Sequence, residues 1–154
     1  MVDVDAALAA VRQVLEERLP RPAFTVQPAR RAVVQLPVIV AAVQHPDAGF
    51  DVTVPVPGRL AATASYAWNF GEGEGAGASG PGRPYDGTSP TRHPGHYVSH
   101  TYRRAGAATV TLTVTWTATF TLDDGTQFPL APLRFSTDRR VAVHATRTEL
   151  VSPS

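Results

Sequence analysis

Three histidines lie close together in the chain, at a spacing that could serve a transition metal: His93, His96 and His100. Zinc takes three or four ligands in a closed site whose ligands are held by further hydrogen bonds. Pro94 and Gly95 interrupt this segment and exclude a helix that would bring the three rings to one face. The spacing alone therefore predicts no zinc site, and we interpret His93 and His96 as loop residues.

A glycine-rich segment, residues 71–77, superficially resembles a phosphate-binding loop. It lacks the following helix and the Lys-Ser/Thr pair of such loops, and the carboxylates of Glu72 and Glu74 would repel phosphate. Together with Asp86 these carboxylates are oxygen ligands of the kind calcium prefers, but they do not form a spaced acidic loop. We predict no cofactor and no metal, and interpret these carboxylates as solvated turn residues.

Catalytic motifs are not recognisable in the sequence. It contains no nucleophile elbow, no HExxH and no credible pair of catalytic carboxylates. The serines at positions 65, 79, 89 and 99 lie in strand or loop contexts with nothing to activate them. Cysteine is absent, which excludes disulfides, thiolate metal sites and cysteine nucleophiles in this chain. We therefore predict that the protein is not an enzyme.

The composition of the chain also excludes some classes of partner. With 14 Lys+Arg against 13 Asp+Glu in 154 residues, the chain has no basic field for nucleic acid and is one domain by length. No apolar run reaches the roughly 18 residues of a membrane span. The N-terminus also lacks the basic and apolar regions of a signal peptide. We expect no nucleic-acid partner, no membrane span and no signal peptide in this chain.

The most regular pattern is Thr109–Leu122, in which seven apolar residues alternate with seven threonines. Alternation without charge, proline or glycine predicts a β-strand with an apolar face inward and a threonine face outward. The threonine face is either a solvated surface or an interaction surface, because a second strand can pair with a regular, uncharged strand. The strand is longer than the usual 5 or 6 residues. We expect residues 116–122 to project with a hairpin partner and to meet the N-terminal helix, residues 128–135 or a partner molecule.

A helix is predicted at the N-terminus, where apolar residues recur at helical spacing and Pro20 and Pro22 follow. It either packs across one end of the β-domain or serves as a docking or oligomerising helix. The apolar positions are Val4, Leu8, Val11, Leu15 and Leu19.

Short strands separated by turns fill the rest of the chain. Pro28 and Pro37 break the first apolar runs, so these strands should lie at a sheet edge or switch sheets at the break. Asp124-Gly125 predicts a tight hairpin, and residues 74–97 form a long loop of the kind that is functional or disordered. Seven to nine strands, by our count, with turns every 8 to 12 residues, are typical of an antiparallel β-sandwich.

One segment carries a resemblance to a known family: Tyr66-x-Trp68-x-Phe70-Gly71-Glu72-Gly73. With the later residues His100-Thr101-Tyr102, Gly106 and 110–114, it resembles the PKD (polycystic kidney disease) domain, an immunoglobulin-like β-sandwich. Glu72 stands where the family usually has aspartate. Further segments are similar to exported actinobacterial PKD-domain proteins: residues 26–28, 33–37, 82–85 and 145–151.

The resemblance implies a mainly β, PKD-type sandwich that serves as a non-catalytic spacer, adhesion or contact module, extracellular or at a cell surface. Its structural core is expected at Tyr66, Trp68, Phe70, Gly71, Gly73, His100, Tyr102, Val110, Leu112 and Val114. We predict a helix and linker over 1–22, the sandwich over 23–151 and a tail over 152–154.

The partner is predicted to be a protein or a glycan, contacted through the loop 74–97 and the long hairpin. The alternative is a structural subunit of a fibre, pilus or phage-type particle, which docks through the helix and could form a homo-oligomer. The candidate contact residues are Tyr85, Tyr97, Trp116, Phe120, Leu122, Leu8, Val11 and Leu15.

Overall fold

The computed structural model describes residues 4–28, 31–43, 48–53, 57–72 and 77–145. Part of the loop 74–97, Gly73 and the C-terminal tail lie outside this range. The secondary structure within the described residues is one helix and ten strands: α1 Val4–Arg18, β1 Phe24–Gln27, β2 Arg31–Val33, β3 Pro37–Ala42, β4 Ala48–Val52, β5 Gly58–Asn69, β6 Gly77–Ser79, β7 Val98–Thr101, β8 Gly106–Leu122, β9 Gln127–Pro129 and β10 Leu133–His144.

The strands form two sheets, which confirms the mainly β, PKD-type sandwich. The three-stranded sheet has the order β1-β3-β7. The larger sheet has the order β2-β10-β8-β5-β4, with β6 paired to β5 and β9 paired to β8. Short strands of three residues at β2, β6 and β9 bring the number above the predicted seven to nine.

The proline breaks act as predicted. Pro28 separates β1, at the edge of the three-stranded sheet, from β2 at the edge of the larger one, and Pro37 begins β3, back in the first sheet. The β2 strand runs parallel to β10, with Ala32 opposite Val143, whereas the sequence predicted antiparallel strands throughout. The reason is topological, because a strand that crosses to the other sheet without a hairpin is free to pair in either direction.

The described residues divide into two compact units. Those within Met1–Arg21, Gln44–Ser65 and Val114–Phe135 form unit 1, and those within Pro22–Val43, Tyr66–Thr113 and Ser136–Ser154 form unit 2. The predicted boundary between residues 22 and 23 stays a prediction.

Unit 1 contains α1, β4, β9 and the second half of β8. The apolar side chains of β8 in this unit are buried from Val114 to Phe120 and Leu122 is half-buried, while Val11 and Leu15 of α1 are buried. The Phe120 ring lies so close over Gly58 that a Cβ there would come within 2.5 Å of its Cζ. The apolar face of residues 116–120 is therefore covered inside the unit, and no partner molecule is required to bury it.

Arginines fix the helix to this unit. Arg12 donates from Nε to the carbonyl of Ala131 at 3.2 Å and from Nη2 to that of Pro132 at 3.1 Å. Ala131 and Pro132 lie outside the strands, so the guanidinium donates to carbonyls that have no partner strand in the sheet. Arg18 lies over the ring of Phe50, 5.6 Å from its centre, in cation–π geometry. The helix is thus held by packing and by hydrogen bonds.

The two tryptophans differ in one respect that can be tested. Trp116 is 2% exposed in unit 1, and its Nε1–H has no hydrogen-bond partner among the described residues. An unpaired buried donor costs about 1–3 kcal/mol. We expect Trp116→Phe to change the free energy of unfolding by less than about 1 kcal/mol, because removal of that donor offsets the lost packing.

Trp68→Phe is the matched comparison, since Trp68 in unit 2 donates from Nε1 to the Gly80 carbonyl at 2.7 Å. The loss of unfolding free energy, measured by urea unfolding, should be larger for Trp68→Phe than for Trp116→Phe by about 1 kcal/mol or more. Equal losses for the two variants would contradict the assignment of the unpaired donor.

Candidate functional site

A network of hydrogen bonds surrounds Glu72, just after β5. Its Oε2 accepts hydrogen bonds from the backbone N–H groups of Arg103 at 2.8 Å and Arg104 at 3.0 Å. Its Oε1 lies 2.9 Å from Nε2 of His100. Both carboxylate oxygens are therefore engaged, and the side chain ties the end of β5 to the turn between β7 and β8.

Aromatic rings complete this cluster. Phe70 stacks on His100 with ring centres 4.9 Å apart, and Tyr102 meets the same imidazole edge-on at 4.6 Å. The Tyr102 hydroxyl donates to the Phe70 carbonyl at 2.8 Å. Burial, with a smaller effect of the Glu72 charge, raises the pKa of Tyr102 to about 12. These hydrogen bonds and ring contacts join the turn after β5 to His100 and Tyr102.

The carboxyl of Glu72 has a pKa below its ordinary value of 4.5. Burial is the largest single influence and raises the pKa, but the N–H groups of Arg103 and Arg104 and the His100 ring together outweigh it. A carboxyl with a lowered pKa in the folded state stabilises the protein above its unfolded pKa. That contribution is lost as the pH falls through the folded pKa.

We predict that Glu72→Gln lowers the free energy of unfolding at pH 7 and flattens its dependence on pH in the acid range. The difference between wild type and variant should be constant above about pH 5 and shrink below about pH 4.5, because the unfolded chain there takes up a proton at Glu72 that the folded protein binds only at lower pH. Urea unfolding at a series of pH values measures this difference. A difference that is the same at pH 3 and pH 7 would contradict it. Asp124→Asn is the comparison variant. The Asp124 carboxyl is exposed, and hydrogen bonds from the Thr126 hydroxyl and N–H lower its pKa as well.

The loop before β7 is organised by Asp86. Its Oδ1 accepts from the Thr88 N–H at 3.0 Å and lies 2.7 Å from the Tyr97 hydroxyl, and its Oδ2 lies 2.8 Å from Nε2 of His96. The Tyr97 hydroxyl, followed by the Thr88 N–H and His96, holds the pKa of Asp86 well below its usual range. Burial is the main cause of a raised pKa for Tyr97. These bonds give a defined conformation to a segment without regular secondary structure.

A cleft of about 480 Å³ lies within unit 2, beside this loop. Its walls are residues 78–79 of β6, residues 81–83, and residues 95–99, which run into β7. Ligand sites of proteins usually have volumes of roughly 300–1,000 Å³. The cleft is therefore large enough for a small ligand or for a few side chains of a partner.

The three histidines do not come together. The side chain of His96 pairs with Asp86 and that of His100 with Glu72, whereas the described contacts of His93 are backbone bonds to the Ser89 carbonyl and from the His96 N–H. No group of three or more potential metal ligands occurs among the described residues.

The predicted contact residues occupy different environments. Tyr85 is 52% exposed and stacks on Tyr97, which is 7% exposed, with ring centres 6.0 Å apart. Leu8 and Leu122 are half-buried. The remaining four are buried in unit 1: Trp116, Phe120, Val11 and Leu15. Of the predicted set, Tyr85 offers the most surface to a partner, and the contact surface stays a prediction.

Sequence reasoning named Asp86 and Tyr97 separately but did not predict that they meet beside the cleft. Asp86-x-Thr88 is the signature of an Asx turn, in which an aspartate accepts from the N–H two residues on. That signal predicts a local turn. It does not predict that Tyr97, eleven residues later, completes the same network, or that Arg83 lines a cleft.

Comparison with known proteins identifies one family. The model of the PKD domain matches residues 24–121. The aromatic segment, the Glu72 network and the first half of β8 all lie inside the match. Comparison with curated proteins and with solved structures returns no match. Among the described residues, no helix has the length and apolar character that a membrane span requires.

Proposed function

The chain belongs to the PKD domain family, and from that membership we propose that it is a non-catalytic contact module of a surface or exported protein. PKD domains are generic immunoglobulin-like modules that often occur in surface or adhesion proteins. We propose that this one binds a protein or a glycan through the cleft beside β6.

The observation that carries the proposal is the construction of the cleft. The Asp86 network fixes the loop that forms one wall, so the free protein already has a defined surface there. A preformed site binds at a lower entropic cost than a loop that must become ordered on binding. The exposed Tyr85 ring flanks this loop, and tyrosine is enriched at binding surfaces.

Catalysis at this cleft has little support. The hydroxyl of Tyr97 and both oxygens of Asp86 are engaged in hydrogen bonds within the loop. A general base needs an unoccupied acceptor aimed at the substrate. The hydrogen bonds of Tyr97 and Asp86 therefore favour binding over catalysis at this cleft.

The alternative, a subunit that docks through the helix, has less support. Val11 and Leu15 are nearly fully buried within unit 1, so the apolar side of α1 is already used by the protein itself. A docking helix keeps such a face for its partner.

Display screening tests the proposal. Immobilised protein should select binders from a random peptide library or a glycan array. Ser99→Trp should abolish their binding by filling the cleft, since Ser99 lines it. Thr63→Trp, at an exposed position of β5 in unit 1, adds the same bulk elsewhere and should leave binding unchanged. Absence of selected binders, or binders that ignore the Ser99 variant, would overturn the proposal.

A further inference from the structure

The charged side chains of the cleft wall differ in how they are engaged. Among the described lining residues, Arg83 and His96 are basic and none is acidic. The His96 ring is paired with Asp86 at 2.8 Å. Arg83, by contrast, makes no hydrogen bond, ion pair or ring contact with any other described residue. One guanidinium on the cleft wall is therefore uncommitted.

Several other arginines of the chain are already engaged. Arg12 donates to two backbone carbonyls, Arg59 pairs with Asp51 at 2.9 Å, and Arg21 lies over the Phe135 ring. A guanidinium presents a planar fork of donors that matches a carboxylate. Beside Arg83, Ser79 and Ser99 supply hydroxyl groups to the same cleft. The combination is complementary to an anion with several acceptor oxygens.

The walls of the cleft favour a peptide over a sugar. Tyr97 is 7% exposed and so offers no open ring face on which a sugar could stack, and Tyr85 does not line the cleft. Two of the walls are instead short strands. Among the described strands, β7 is the last of its sheet and β6 pairs with β5 alone. Strand edges carry backbone donors and acceptors that an extended peptide can pair with.

We propose that the cleft binds an extended acidic peptide segment of a partner protein, with Arg83 receiving an aspartate or glutamate carboxylate. The inference rests on the proposed function, because it names the ligand of the same cleft. Arg83 is the specificity-determining residue, and the serine hydroxyls and strand edges position the peptide.

Three probes compare the ligand chemistries on the full chain. The first is a short labelled peptide with aspartate and glutamate at alternate positions. The second has asparagine and glutamine at the same positions, and the third is an oligogalacturonate, a sugar with carboxylates. Fluorescence anisotropy measures affinity, and backbone amide NMR shifts report whether Ser79, Gly95 and Ser99 are perturbed. The acidic peptide is expected to bind about tenfold or more tightly than the amide peptide and to shift the cleft amides.

Arginine variants then assign the contact. Arg83→Ala should weaken acidic-peptide binding about tenfold, and Arg83→Lys should recover part of it because the charge is kept without the planar fork. Arg92→Ala is the matched control, because Arg92 lies in the same loop and does not line the cleft. Arg83 is exposed and uncommitted, so both of its variants should keep the wild-type amide dispersion.

The outcomes separate this inference from the proposed function. Equal affinity for acidic and amide peptides, tighter binding of the oligogalacturonate, or equal loss in the Arg83 and Arg92 alanine variants would overturn the acidic-peptide assignment. A shift of the cleft amide resonances on addition of any of the probes would still support the proposed contact module. If no probe shifts the cleft amides, the assignment is overturned, and the library and array screen decides the proposed function by itself.

Discussion

Trp68→Ala is expected to lower the free energy of unfolding by about 3–5 kcal/mol. Trp68 is 4% exposed, meets the Phe24 ring edge-on at 5.1 Å and donates from Nε1 to the Gly80 carbonyl. Truncation removes the largest side chain of this part of the core, leaves a cavity and deprives that carbonyl of its partner. The effect should be among the largest of any single substitution in unit 2.

Urea unfolding at pH 7, followed by circular dichroism, measures the loss. Tyr85→Ala is the control, because this aromatic side chain is half exposed and its truncation should cost less than about 1 kcal/mol. A loss below about 1 kcal/mol for Trp68→Ala would be incompatible with a tryptophan buried between the sheets.

Gly71→Ala is expected to cost about 2–5 kcal/mol, which combines backbone strain with overpacking. Gly71 has φ of +77°, a conformation that residues with a Cβ rarely adopt. An added Cβ would lie 2.5 Å from the Thr109 carbonyl oxygen. The turn after β5 thus passes directly against the start of β8, and only glycine allows that approach.

Gly87→Ala separates the two contributions. Gly87 has φ of +95° and no atom within 4 Å of an added Cβ, so its substitution carries the strain without the clash. We expect it to cost only about 1–2 kcal/mol. Thermal and urea unfolding of the two variants give the difference. Equal losses would show that the close approach to Thr109 has no energetic weight.

Local patterns in the sequence predicted the elements well. Alternation over Thr109–Leu122 predicted a strand, and β8 covers Gly106–Leu122 with its even-numbered residues buried from Ala108 to Phe120 and Leu122 half-buried. Trp68 and Phe70, which the family resemblance placed in the core, are both buried. Asp124-Gly125 forms the predicted hairpin, in which the Leu122 N–H bonds to the Thr126 carbonyl at 2.8 Å. These features follow from backbone geometry over a few residues, which the sequence encodes directly.

The candidate site was predicted only in part. The resemblance to the family placed Glu72 and His100 in the core motif, but the two N–H groups that bind Glu72 belong to a turn about thirty positions away. The loop before β7 was expected to be functional or disordered because of its length. Its organisation around Asp86 and the free Arg83 depends on side chains that meet only after folding.

By itself, therefore, the sequence determined the strand periodicity, the turns and the membership of the PKD domain family. The tertiary structure alone decided the parallel pairing of β2 with β10, the burial of Trp116 and Phe120 within unit 1, and the cleft beside β6. The physical reason is that side-chain direction along a strand is a local property. Which surfaces become covered depends on contacts between segments far apart in the chain, and no short pattern encodes these.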